Sequence, residues 1–170
     1  MGCDLHWHSE TRVDGKWKCD QADTRTTETE DYGDGEQERM DMDDFPGRSR
    51  DYWFFGLLAA GVRTDWAWSF PYQDSVPDDL SDEVAELYKQ WDCDAHSAGS
   101  LTRAQLLAKL EELKPIQAEL LVNPPAADEA YKAQVPAHHV DRLNQVIADM
   151  RALSPDVSDE DHRLVFWFDN

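Results

Sequence analysis

Apolar and polar positions alternate from the start of the chain with a period of two. Cys3, Leu5, Trp7, Ser9, Thr11 and Val13 fall on one side, and Asp4, His6, His8, Glu10 and Arg12 on the other, as in a strand with one face buried. Asp14-Gly15 supplies a two-residue hairpin turn, and Lys16-Trp17-Lys18-Cys19 alternates again as the returning strand. Near the other end, Arg163-Leu164-Val165-Phe166-Trp167-Phe168 reads as a further strand. It has no neighbouring strand in sequence, so it is expected to pair with the N-terminal hairpin.

Between these strands the period changes to that of helices. Residues 51–60 are apolar nearly all round, which predicts a short buried helix closed by Gly61. Ser81 precedes Val84, Leu87, Tyr88 and Trp91 at helical spacing and serves as an N-cap. Thr102 caps a third helix with Leu106, Leu107, Leu110 and Leu113 on one stripe, which Pro115 is expected to kink or end. A fourth runs from about Pro136 to Leu153, burying Val140, Leu143, Ile147 and Met150, and Ser154-Pro155 stops it. Residues 92–101 read as a polar loop. Residues 20–46 read as a long, mobile acidic loop, interrupted by Gly33-Asp34-Gly35 and closed by Phe45-Pro46-Gly47. The expected architecture is one α+β domain over 1–170. A small antiparallel sheet, the N-terminal hairpin paired with the C-terminal strand, carries about four helices packed on one face.

Charge narrows the function. The 170 residues include 36 acidic and 16 basic side chains, for a net charge of −20. Duplex nucleic acid is excluded as a partner, because its phosphates need Lys and Arg. No apolar run is long enough for a membrane span. Seven tryptophans argue against a disordered chain. Cys3, Cys19 and Cys93 are too few and odd in number for a disulfide framework, and no secretory signal is seen, so a cytoplasmic location is expected. Abundant Asp with scarce Lys also matches a salt-adapted surface.

Four groups of residues could carry chemistry. Asp4, His6 and His8 share a strand face at i, i+2, i+4, spaced to share a metal or an anion; the plain alternative is a solvated sheet face. Cys3-Asp4-Leu5-His6 is echoed by Cys93-Asp94-Ala95-His96, so Asp4, His6, Asp94 and His96 could converge on a divalent cation such as zinc. Arg48, Arg50 and Arg63 bracket the apolar helix and could hold a phosphate, or pair with carboxylates. Trp66 and Trp68 lie in a loop and could stack on a base. No Gly-rich phosphate loop, Gly-x-Ser-x-Gly elbow or CxxC pair is present. A Cys3–His96 nucleophile pair is disfavoured by the apolar setting of Cys3.

Several stretches taken together resemble a family of small tailed-phage proteins that open Met-Gly-Cys-Asp-Ile-His. They are Met1-Gly-Cys-Asp-Leu-His6, Val13-Asp-Gly-Lys-Trp17, Arg50-Asp-Tyr52, Phe55-Gly-Leu-Leu-Ala-Ala-Gly-Val-Arg63, Asp94-Ala-His-Ser97 and the terminal Val-Phe-Trp-Phe-Asp-Asn. Leu5 replaces the family's Ile, and His8 lies outside the pattern. The resemblance implies a phage accessory protein acting in the cytoplasm of an infected bacterial or archaeal host. Its polar matches are Asp4, His6, Arg50, Arg63, Asp94, His96, Ser97, Asp169 and Asn170.

Three functions are therefore expected. The first is a non-catalytic sponge for a nucleotide-derived immune signal, part of host anti-defence. Arg50 and Arg63 would hold phosphate, His96 and Ser97 would bond ribose or phosphate, and Trp66 or Trp68 would stack on the base. Asp4, His6 and Asp94 complete its ligand-binding set, and a second copy of the chain could close the pocket. It needs no cofactor. The second is a phosphodiesterase with a divalent metal such as zinc, its ligands drawn from Asp4, His6, His8, Asp94 and His96. The third is an acidic DNA mimic that occupies a basic host protein.

Overall fold

In the computed structural model, residues 3–31, 36–45, 50–64, 66–91, 94–126 and 134–169 are described. Arg48, Cys93, Asn170, Gly33-Asp34-Gly35 and Pro46-Gly47 lie outside them. The elements are β1 (Asp4–Val13), β2 (Lys16–Cys19), β3 (Thr26–Asp31), β4 (Glu36–Asp41), α1 (Tyr52–Leu58), α2 (Asp82–Lys89), β5 (His96–Thr102), α3 (Arg103–Val122), α4 (Val135–Leu153) and β6 (His162–Asp169). The main sheet runs β2-β1-β6-β5 with every pair antiparallel. This is the expected α+β architecture, with the first and last strands side by side. Asp14 and Gly15 sit at φ 52° and 78°, the left-handed pair that a tight hairpin turn requires.

The sheet is covered on both sides. Leu5, Trp7, Leu164, Phe166 and Phe168 face the buried side chains of α1, α3 and α4. Val165 and Trp167 face the other way, against Val84 and Leu87 of α2 and Met40 and Met42 at the end of β4. The helical layer of one face is thus α1, α3 and α4, while α2 and the β3–β4 ribbon roof the second face. Roofing decides the fate of the polar stripe of β1. His6 is 8% exposed and His8 and Glu10 are 0% exposed, so the alternative of a solvated face is overturned.

Three local expectations change. Within 20–46, strands β3 and β4 pair from Thr26↔Asp41 to Asp31↔Glu36, where an irregular loop was expected. Alternating Thr and Glu in β3 carry no apolar signal, and the anchors Met40, Met42 and Phe45 come only at the far end. In 92–101 the expected loop is β5. Its Ser-Ala-Gly-Ser run has little strand propensity, but its outer edge is satisfied by one side chain. Gln73 donates Nε2 to the Ser100 carbonyl at 3.1 Å and accepts the Ser100 N–H at 3.1 Å. Third, α3 continues through Pro115 to Val122. Leu106, Leu110 and Leu113 are buried before the proline, and only its own missing N–H is lost. At α1 the C-cap is Ala59 rather than Gly61, which takes the left-handed turn that follows.

Gly56 in α1 is where loop 59–64 folds back on the helix. A Cβ there would lie 1.8 Å from Thr64 Oγ1 and 2.9 Å from the Thr64 carbonyl oxygen. Gly56→Ala is expected to cost roughly 2 kcal/mol by overpacking, seen as a lower thermal midpoint. Unchanged melting would show that the loop yields freely. Among the described residues, no helix is long and apolar enough to cross a membrane.

Candidate functional site

The register of β1 with β6 places Asp4 opposite Asp169 and His6 opposite Trp167. At this end of the sheet the Asp4 N–H donates to Asp169 Oδ1 at 3.1 Å. Arg50 reaches in from the start of α1, with Nε and Nη2 donating to the two Asp4 carboxylate oxygens at 2.7 and 3.0 Å. Arg63 lies with its guanidinium 5.4 Å from the centre of the Tyr52 ring and near the Cys3 thiol. Burial pushes that thiol above its usual range, with Arg63 opposing, so Cys3 is no poised nucleophile. Asp4, Arg50, Arg63, Asp169 and Tyr52 therefore form one half-exposed cluster. The cluster sets two arginines beside two carboxylates, an unusual balance in a chain of net charge −20.

The backbone is strained at the same motif positions. Among the described residues three non-glycines have positive φ. Asp14 belongs to the hairpin turn, and the others are Arg63 at 64° and Ser97 at 49°. Side chains other than Gly, Asn and Asp rarely adopt this region, and such outliers gather at binding sites.

The remaining candidates divide. His96 stands opposite Phe168 and stacks on its ring at 6.1 Å, on the helical side of the sheet, with Nδ1 at 3.2 Å from Ser97 Oγ. His6 is on the other side. Asp94 is exposed in the turn after α2, its N–H donating to the Trp91 carbonyl at 2.8 Å. The expected convergence of Asp4, His6, Asp94 and His96 on one cation is corrected accordingly: the sheet separates the two histidines, and Arg50 occupies Asp4. Trp66 and Trp68 stack on each other at 6.0 Å and spend their indole N–H groups on the Trp53 carbonyl and His139 Nδ1. They pack α1 against α4, with both rings half-buried. Tyr52 is the aromatic ring beside the arginines.

His6 faces a cavity of about 480 Å³ between β4, the segment after it and the end of α2. Trp91, Arg39, Asp41, Asp43 and Asp44 also line it. The His6 ring is 4.2 Å from that of Trp91, centroid to centroid. Its Nδ1 lies 3.8 Å from Asp44 Oδ1 and its Nε2 3.5 Å from Asp169 Oδ2. Behind it, His8 Nε2 lies 3.7 Å from the same Asp44 oxygen. Burial, reinforced by His6, pushes the His8 pKa down to about 3, so its ring is neutral near pH 7. Asp44 is held there because the chain after β4 returns along β1: the Phe45 N–H donates to the Trp7 carbonyl at 2.8 Å. Sequence reasoning missed Asp44 because the stretch looked like loop. The apolar Met40, Met42 and Phe45 were the signal that it returns to the core. Among the described residues, no three His, Cys, Asp or Glu donors are already gathered as a metal-holding group.

Comparison with protein-family models, with curated proteins and with solved structures finds no match for this chain. The reading of the site therefore rests on its own chemistry.

One further arrangement has the residue types of a hydrolase without the geometry. Ser9 Oγ lies 2.7 Å from His162 Nε2, and Asp20 Oδ2 is near both. But Arg103 Nη1 donates to His162 Nδ1 at 2.9 Å, where a triad would have its carboxylate. The imidazole nitrogen facing Ser9 therefore carries the proton and is not a base. Burial favours a neutral Asp20, yet bonds from His162, Ser9 and Thr11 outweigh it and hold its carboxyl below the usual range. With Ser9 and His162 at 0% exposure, this network ties β1, β6 and α3 together.

Proposed function

We propose that the protein is a non-catalytic binding protein, of the phage accessory kind the sequence resembles, that captures a small anionic ligand of the nucleotide class at the open end of the sheet. The observation that carries this reading is the pairing of Arg50 and Arg63 over residues 3 and 4, beside Tyr52. The left-handed backbone at Arg63 and Ser97 supports it. Arg50 already holds a carboxylate in a two-pronged grip, the geometry with which guanidinium also takes a phosphate. A ligand phosphate would displace Asp4 from Arg50, and the Tyr52 ring offers a face for a base.

Calorimetric titration with ADP-ribose and with a cyclic dinucleotide tests this. At least one is expected to bind, and Arg63→Ala is expected to weaken it by tenfold or more, about 1.4 kcal/mol. Heat from neither compound, together with no small molecule released on denaturing the purified protein, would overturn the reading.

The cavity favours a second reading. It carries Glu38, Asp41, Asp43 and Asp44 against one arginine, Arg39, which suits a basic protein surface. That reading expects binding to a basic partner that weakens steeply with salt and survives Arg63→Ala.

A further inference from the structure

We propose that His6, His8 and Asp44 form a binding site for a divalent transition-metal ion, zinc by the chemistry of the donors, at the floor of the acidic cavity. The first ground is the state of the ring nitrogens. His6 Nε2 and both nitrogens of His8 are buried and make no hydrogen bond. Buried polar atoms are normally satisfied, since leaving one unpaired forfeits its hydration without return. One of them, His8 Nε2, is turned toward the Asp44 carboxylate without bonding it, which leaves room for a cation between the two.

The second ground is distance. One oxygen, Asp44 Oδ1, stands 3.8 Å from His6 Nδ1 and 3.7 Å from His8 Nε2. Both are too long for hydrogen bonds. Neighbouring ligands around a tetrahedral zinc with bonds near 2.1 Å are about 3.4 Å apart. The two separations from the carboxylate oxygen are thus within a few tenths of an ångström of that spacing. His6 and His8 cannot drift apart to avoid each other, because β1 is paired with β6 along both positions.

The third ground is what stands behind the donors. Histidine ligands usually present their second nitrogen to a carboxylate or carbonyl that orients the ring. Asp169 Oδ2 is 3.5 Å from His6 Nε2, and the Asp43 main chain lies beside the His8 ring. Two imidazoles and one carboxylate suit zinc or its neighbours better than magnesium or calcium. The exposed Asp41 and Asp43 at the cavity mouth concentrate cations there, and remaining coordination positions would face the cavity and water. The ligand reading at the arginines shares only the His6 neighbourhood, and metal binding is measured without any ligand.

The test uses full-length protein treated with chelator and dialysed, then titrated with zinc chloride by calorimetry and with cobalt chloride by visible absorption. One ion per chain is expected, with the intense band of four-coordinate cobalt. His6→Gln and Asp44→Asn are each expected to weaken zinc by tenfold or more, and Asp94→Asn and His96→Gln to leave it unchanged. Asp44→Asn keeps an acceptor for the Trp7 N–H, so it separates loss of a ligand from loss of fold, and circular dichroism checks both variants. No saturable zinc binding, equal affinity for magnesium, or binding untouched by His6→Gln and Asp44→Asn would each overturn the proposal.

Discussion

Replacing Arg163 with methionine is expected to remove about 3–5 kcal/mol of folding stability, the cost of leaving a buried charge unpaired. Glu10 is 0% exposed and lies in the middle of β1. Its Oε2 accepts from Arg163 Nε at 2.7 Å, and its Oε1 accepts the Ser81 N–H at the start of α2 at 2.7 Å. Arg163 also donates to Asp79 Oδ1 at 2.7 Å and to the Asp79 carbonyl at 2.9 Å, and its guanidinium lies 4.0 Å from the centre of the Trp17 ring. These contacts fix the loop before α2 onto the second face of the sheet, so their loss should loosen the roof over His6 as well. Urea denaturation near pH 7 measures the effect. The double variant Glu10→Gln/Arg163→Met is expected to recover a large part of the loss, because the residual charge is gone. A loss under about 1 kcal/mol for Arg163→Met alone would mean that water reaches Glu10.

Acidification from pH 6.5 to 4 is expected to cost about 3 kcal/mol through His139 alone. This ring is buried in α4, accepts the Trp68 indole N–H on Nδ1 at 3.0 Å and donates from Nε2 to the Trp53 carbonyl at 2.9 Å. A second proton would have to enter where the indole already donates. Burial, with His138 nearby, lowers its pKa to about 4, against an opposing pull from the Trp53 carbonyl and Asp51. Unfolded, the same ring titrates near 6.5. Between those values the unfolded chain binds the extra proton, so stability is complete above about 6.5, falls as pH drops, and loses nothing more from this group below about 4. Thermal midpoints of wild type and His139→Gln across this range measure it. The variant should start lower and decline less, and parallel curves would contradict the assignment.

How far the sequence could be read depended on which signal each element carried. β1 and β2 were legible because apolar and polar positions alternate around Trp7 and Trp17, and β6 because Leu164 to Phe168 is an unbroken apolar run. α2 and α3 were legible because Ser81 and Thr102 sit where caps are needed. β5 was not, because a Ser-Ala-Gly-Ser run becomes a strand only when β6 offers an edge and Gln73 satisfies the other. β3 and β4 were not, because their pairing is written in Thr and Glu. The nearness of Asp4 to Arg50 followed from pairing the first and last strands. The split between His6 and His96 did not, since it depends on which face of the sheet each register position occupies.

Local chemistry along the chain determined most of the elements, the order in which they appear and the meeting of the first and last strands. Periodicity and capping act over a few residues, and any fold of this chain must respect them. Only tertiary structure decided that both faces of the sheet are covered. That one event turned a polar stripe into an interior and paired Glu10 with Arg163. It also set Asp44 against two histidines. A side chain's surroundings are made by segments far away in sequence, and no local pattern records them.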